Sequence, residues 1–143
     1  MRLMVVGALD VGSALEWAQW FVLGFFAVLF LQSGLDKVFD WKGNFQYHKE
    51  HFASSPLAPL VPVLLPILTV MEVGTGALSA VAAVQFLLGD ARDTALAALA
   101  AAGITLLSLF AGQRMARDYA GAAGLVPYFL VALFGLLLHA DVR

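Results

Sequence analysis

Apolar residues dominate four long stretches of the chain, and polar residues collect in the short segments between them. The stretches run from about 14 to 34, 62 to 88, 94 to 112 and 120 to 140. Each has the roughly 20 residues that a helix needs to cross about 30 Å of hydrocarbon. None alternates with a period of two residues, as the strands of a membrane barrel do. The pattern predicts an all-α fold, a four-helix transmembrane bundle that forms one domain over residues 1–143.

The polar loop between the first two stretches has a helical pattern of its own. Trp41, Phe45, His48 and Phe52 follow one another at intervals of four, three and four residues, which places them on one face of a helix. Aromatic side chains on one face favour a position at the depth of the lipid head groups. We therefore expect a short amphipathic interfacial helix in this loop.

The third stretch carries signals for its ends and its packing. Asp93 or Thr94 can serve as an N-cap, and Gly112 suits a helix stop. The alanine-rich segment 95–102 favours close approach of a neighbouring helix.

Composition places the chain in a membrane and limits its chemistry. Hydrophobic residues make up 62% of the chain and charged residues 13%, and the mean hydropathy is +0.88, far from the values of soluble domains. The chain has no cysteine, which excludes a disulfide, a thiolate nucleophile, an iron-sulfur cluster and Cys-ligated zinc. We expect no covalently attached cofactor.

An even number of spans puts both termini on one side, side A, and the first and third loops on the other, side B. Basic residues are more numerous on side B, where five face three on side A. They are Lys37, Lys42, Lys49, Arg114 and Arg117 on side B, and Arg2, Arg92 and Arg143 on side A. The positive-inside rule then places side B in the cytoplasm.

Glu72 is the main candidate for function. It is a carboxylate in the middle of an apolar stretch, where burial costs a few kcal/mol unless the group is paired or put to use. It lies about ten residues, or about 15 Å of helix, from the side B end of its span. We predict a polar pocket, open to side B, for a ligand or a proton. Its residues are Glu72, Lys37, Arg114, Gln113, Gln32 and Asp36.

A structural role for Glu72 is the alternative. The carboxylate can pair with Lys37, Arg114 or Arg117 and so fix the register of the helices. Small and hydroxyl side chains share its helix face and indicate an inward-facing polar stripe. They are Thr69, Thr75, Gly76 and Ser79.

We predict no metal site in this chain. His48 and His51 have a suitable spacing of three residues, but the sequence supplies no further ligand to complete a site with them. No residue is assigned a catalytic role.

Three segments of the chain resemble a known family. FLQSGLDKVFDW (30–41), ILTVMEVGTGALSA (67–80) and GQRMARDYAGAAGLVPYFLVALFGL (112–136) are similar to the DoxX family of small four-helix bacterial membrane proteins. The resemblance extends from about 21 to 138. It marks Gly34, Lys37, Glu72 and the turn formed by Gln113 and Arg114.

The resemblance implies a role in a membrane redox complex. Members of this family are associated with a terminal oxidase and with thiosulfate:quinone oxidoreduction, and many have no assigned reaction. It implies an accessory oxidoreductase subunit of the bacterial inner membrane, without catalytic activity alone, that binds a quinone or a lipid. Expected partners are membrane lipids, other membrane proteins and a second copy of the chain, but not nucleic acid. The missing cysteine excludes thiol-disulfide chemistry by this chain alone and argues against any family role that needs a thiol in this subunit.

Two other functions remain open. The chain can act as a non-catalytic membrane partner or assembly protein, or as a binder of lipophilic ligands outside any redox complex. Autonomous transport is disfavoured, because four spans show no inverted repeat and no pair of broken helices.

Overall fold

The structure, a computed structural model, describes residues 14–140, and all regular secondary structure in this part of the chain is helical. Residues 1–13 and 141–143, with Arg2 and Arg143 of the charge count, lie outside the described residues. The elements are α1 (Ala14–Phe39), α2 (Trp41–His51), a 3₁₀ turn (Ala58–Leu60), α3 (Val61–Leu88), α4 (Arg92–Met115) and α5 (Tyr119–His139). The predicted all-α four-helix bundle is confirmed.

Four of the helices are long and apolar enough to cross a bilayer. They are α1, α3 extended by the 3₁₀ turn, α4 and α5, and their most apolar windows have mean hydropathies of 1.7 to 2.1. Large apolar side chains also cover the outer surface of the bundle. Phe21, Val28, Val70 and Leu137, for example, are each more than half exposed. The protein is therefore a multi-pass membrane protein whose outer surface contacts lipid.

The ends of α4 differ from the prediction. The N-cap residue is Ala91, which makes no side-chain capping bond, so the expected cap at Asp93 or Thr94 is wrong. The predicted stop at Gly112 is also wrong, because the helix continues to Met115. The chain instead turns at Arg117, whose φ of 60° is left-handed. Polar residues with good helix propensity follow the glycine, and they let the helix extend beyond the apolar stretch.

α1 and α3 form the closest pair of helices in the bundle. A methyl group on Gly76 would lie 2.6 Å from the backbone nitrogen of Leu31, and one on Gly34 would lie 2.7 Å from Val73 Cγ2. These distances are shorter than van der Waals contact, so only glycine permits this approach. Glu72 lies on α3 next to Val73 and one turn before Gly76, so this close approach holds it against α1.

The other helices complete the bundle around an apolar centre. α3 also packs on α4, and α4 packs on α5, while α5 meets α1 more loosely. Small buried residues on α4, Ala95, Ala98 and Ala102, confirm the close packing predicted from the alanine-rich segment. The largest fully buried apolar side chains are Phe26, Phe30, Leu23, Leu99 and Leu106.

α2 lies outside the bundle, against α1 and α3. Asp40 caps its first turn by accepting a hydrogen bond from the backbone N–H of Gly43. Phe45, His48 and Phe52 are half-buried on one face, whereas Lys42, Lys49 and Glu50 are exposed. The predicted amphipathic helix is present in the first loop, and its aromatic face is turned toward the protein.

Candidate functional site

Glu72 and Lys37 form an ion pair inside the bundle. Lys37 Nζ lies 2.8 Å from Glu72 Oε2, and the two side chains are 9% and 2% exposed. Ser33, one turn before Lys37 on α1, connects the two groups. Its hydroxyl donates to Glu72 Oε1 at 3.0 Å, and Lys37 Nζ donates to Ser33 Oγ and to the Ser33 carbonyl at 3.2 and 3.3 Å. α1 thereby supplies both a charge and a hydrogen bond to the carboxylate on α3.

The two oxygens of Glu72 are not equivalent. Oε1 accepts the hydrogen bond from Ser33, whereas Oε2 is within ion-pair distance of Lys37 but outside hydrogen-bond alignment. Among the described residues Oε2 therefore has an electrostatic partner and no hydrogen-bond donor. The pairing places Glu72 with Lys37, as the structural alternative predicted, and not with Arg114 or Arg117.

The polar stripe on α3 is buried as predicted, and its hydroxyl groups are satisfied. Thr69 donates to the carbonyl of Leu65, and Ser79 donates to that of Thr75, each at 2.8 Å. The hydroxyls of Thr75 and Thr105 lie 3.1 Å apart and join α3 to α4. The Thr75–Thr105 contact therefore connects α3 to α4, and each hydroxyl of the stripe has a partner within the protein.

The structure does not bring the six residues of the predicted pocket together. Gln32 and Asp36 are exposed, because they lie on other faces of α1 than Lys37. Asp36 accepts a hydrogen bond from Asn44 Nδ2 of α2 at 3.3 Å. Arg114 is also exposed, and its guanidinium lies 4.5 Å from the centre of the Tyr119 ring, a cation–π contact. Of the six residues, only Lys37 and Glu72 are joined by an ion pair.

Gln113 belongs to a different place, a cavity that the sequence did not predict. The cavity has a volume of about 250 Å³ and lies between α2, the first half of α3 and the last turns of α4. Its lining comprises Tyr47, His48, His51, Phe52, Leu57, Val61, Leu64, Leu65, Ile67, Leu68, Met71, Ser108, Leu109, Gly112 and Gln113. Leu64, Ile67 and Ser108 are exposed, so the cavity opens sideways toward the surrounding lipid.

One end of the cavity is polar and the rest is apolar. His51 Nε2 lies 2.8 Å from Gln113 Oε1 and 3.5 Å from Asp118 Oδ2, so α2 is joined to the end of α4. His48 Nδ1 lies 2.7 Å from the backbone carbonyl of Asn44. The opposite walls are leucines, valine and methionine from α3 and α4. An apolar site with a few polar groups at one end is typical of binding sites for lipophilic molecules.

His48 lines the cavity and also interacts electrostatically with both members of the ion pair. Burial lowers the pKa of His48 below the ordinary 6.5, and the electrostatic interactions with Lys37 and His51 act in the same direction. The Asn44 carbonyl and Glu72 oppose this change. His48 is therefore neutral at neutral pH, and its protonation state is coupled to the charges of the buried pair.

The sequence placed His48 on the aromatic face of the predicted interfacial helix, and it offered His48 and His51 otherwise only as metal ligands. Within residues 14–140 no group of three or more Asp, Glu or His side chains converges on one point. The spacing of Trp41, Phe45, His48 and Phe52 was the available signal for the cavity, because it predicted α2, the helix that covers the cavity. It gave no information on which part of the bundle that helix would cover.

Comparison with known proteins gives no relative for this chain. No protein-family model matches it, and neither a curated protein nor a solved structure matches it significantly. The resemblance to the DoxX family therefore stays a prediction from the sequence.

Proposed function

We propose that this protein binds a lipophilic molecule of the quinone or lipid class in the cavity under α2, as an accessory subunit of a quinone-linked redox complex in the bacterial inner membrane. The cavity is the observation that carries the proposal. It combines apolar walls, a polar end with His48, His51 and Gln113, and an opening toward lipid. The redox complex and the inner membrane come from the DoxX resemblance alone.

The buried ion pair supports the site without being part of its lining. Lys37 and Glu72 fix α1 against α3 beside His48, and they place two opposite charges next to the polar end of the cavity. Since no side chain at the site is arranged as a nucleophile with its base, we propose binding and not catalysis by this chain alone.

The proposal is tested by filling the cavity. Leu64 lines the opening, whereas its neighbour Val63 is exposed elsewhere on the same turn of α3. We expect Leu64→Trp to abolish the retention of a small molecule by protein extracted gently from its own membranes. Val63→Trp adds the same bulk on the lipid-facing surface and should leave retention unchanged. Native mass spectrometry measures the bound mass and gives its identity.

The proposal fails if neither wild type nor the Val63→Trp control carries a small molecule, or if Leu64→Trp retains it equally. Protein partners that remain bound to all three forms in that case would favour the second function. Retention by wild type and the control alone would identify the ligand of the cavity.

A non-catalytic partner or assembly role is the second candidate, and the outer surface of the bundle favours it. Four glycines have no heavy atom within 4 Å of the position of an added Cβ, which leaves room for another helix to approach. They are Gly24, Gly74, Gly103 and Gly124. Bulky substitutions there should separate this chain from its partner while ligand binding in the cavity persists.

A further inference from the structure

The polar end of the cavity presents a specific set of hydrogen-bonding atoms. The partner of His48 Nδ1 is the Asn44 carbonyl, which can only accept. His48 Nδ1 must therefore carry the ring proton, and the Nε2 of the neutral ring is an acceptor. No described residue donates a hydrogen bond to this Nε2, although the ring lines the cavity.

The other polar groups at this end are used differently. Gln113 Oε1 is occupied by His51 Nε2, which leaves the Gln113 amide nitrogen as a donor. The hydroxyl of Ser108 donates to the carbonyl of Ile104 at 2.9 Å. His48 Nε2 therefore offers an occupant a strong acceptor, and the Gln113 amide nitrogen offers it a donor.

We propose that the cavity selects a neutral amphiphile whose head group carries a hydroxyl, and that this hydroxyl donates to His48 Nε2. The inference deepens the proposed function and rests on it. Two kinds of molecule share the required chemistry, the hydroquinone form of a quinone and a lipid alcohol such as a diacylglycerol. The oxidised quinone has only carbonyl acceptors and cannot donate to His48.

The charges around His48 favour a neutral occupant. Lys37 of α1 and Glu72 of α3 face the ring and neutralise each other, and His51 and Tyr47 are its titratable neighbours on α2. An anionic head group would have to leave water for apolar walls without gaining an unpaired cation. The pKa of His48 lies below 6.5, so the acceptor form of the ring persists at neutral pH.

The experiment compares three probes on the full-length protein in lipid nanodiscs at pH 7.5. The probes are decylubiquinol kept reduced under nitrogen, decylubiquinone, and dioctanoylglycerol. Loss of one hydrogen bond corresponds to a roughly five- to tenfold change in affinity. We expect decylubiquinol to bind about five- to tenfold more tightly than decylubiquinone. Tighter binding of dioctanoylglycerol than of decylubiquinol would support the inference and identify the source as a lipid alcohol.

Two substitutions of His48 form a matched pair. His48→Gln keeps an amide oxygen near the position of Nε2, whereas His48→Asn is too short to reach it. We expect the preference for decylubiquinol to survive in His48→Gln and to disappear in His48→Asn. In wild type the preference should fall as the pH is lowered below 6.5, because the protonated ring no longer accepts, and in His48→Gln it should not change.

Equal binding of decylubiquinol and decylubiquinone by wild type, unchanged in both variants, would overturn the inference while leaving the proposed function intact. A preference that persists in His48→Asn would also overturn it. If none of the three probes binds wild type more tightly than it binds the Leu64→Trp variant, whose cavity is filled, the result would instead count against the proposed function itself.

Discussion

Lys37 and Glu72 form an ion pair in which both side chains are more than nine-tenths buried. Among the residues that the structure describes, it is the only ion pair buried to this extent. The pair joins α1 to α3 close to Gly34, where α1 comes nearest to Val73. A buried ion pair contributes little net stability compared with apolar side chains of the same shape. A single buried charge that has lost its partner, however, strongly destabilises the fold. The effect of the pair is therefore to make any other register of the two helices unfavourable.

Removal of one partner of the pair should destabilise the bundle strongly. We expect Glu72→Gln and Lys37→Met each to lower the stability by about 3–5 kcal/mol, because each leaves one charge buried without its partner. Thermal unfolding of the purified protein in detergent, followed by size-exclusion chromatography, measures the loss.

The double variant Lys37→Met with Glu72→Leu is the control for this prediction, because it removes both charges together. It should recover most of the lost stability. Equal losses for the single and the double variants would contradict the account, since the charges would then not act as a pair.

Close packing of α1 and α3 should make two glycines intolerant of a methyl group. An added Cβ on Gly34 or Gly76 would contact the backbone of the opposite helix at 2.9 or 2.6 Å. We expect Gly34→Ala and Gly76→Ala each to cost about 1–3 kcal/mol of stability by forcing the helices apart. Gly74→Ala is the matched control on α3, because nothing lies within 4 Å of its added methyl, and it should not destabilise. The same thermal assay tests all three.

The fold could be predicted from the sequence to a large extent. Hydropathy identified all four spans, and the spacing from Trp41 to Phe52 identified α2, because burial in lipid or against a bundle requires these patterns. Helix ends were predicted less well. Gly112 was expected to end α4, but a glycine inside a helix costs only about 1 kcal/mol, which packing easily outweighs.

The candidate site could be predicted only in part. Glu72 was recognised because a carboxylate in an apolar stretch is rare, and Lys37 was among the proposed partners. Arg114 was assigned to the same pocket because it lies at the same depth in the membrane as Lys37. Depth does not determine the direction in which a residue points from its helix, and Arg114 is exposed. The cavity depends on how α2 lies against α3 and α4, and the residue pattern of one segment does not contain that information.

The hydrogen bond between His51 and Gln113 should hold α2 against the bundle. His51→Ala and Gln113→Ala are each expected to weaken this docking, with a coupling energy of about 0.5–1.5 kcal/mol in a double-mutant cycle. Hydrogen exchange of the α2 backbone amides measures the opening. Additive effects of the two substitutions would show that the 2.8 Å contact does not contribute to docking.

Docking of α2 should also depend on pH through His48. The pKa of His48 is lowered below 6.5 in the docked helix, chiefly by burial, with Lys37 and His51 adding to the effect against Asn44 and Glu72. Between the lowered pKa and 6.5, undocked α2 binds more protons than docked α2, so the stability of docking rises with pH. It is fully present above pH 6.5 and is progressively lost as the pH falls below 6.5. After correction for intrinsic exchange rates, the α2 amides should exchange faster at pH 5.5 than at pH 7.5 in wild type. His48→Gln does not titrate, and protection of its α2 amides should be the same at both pH values. A pH dependence that remains in this variant would assign the effect to another group.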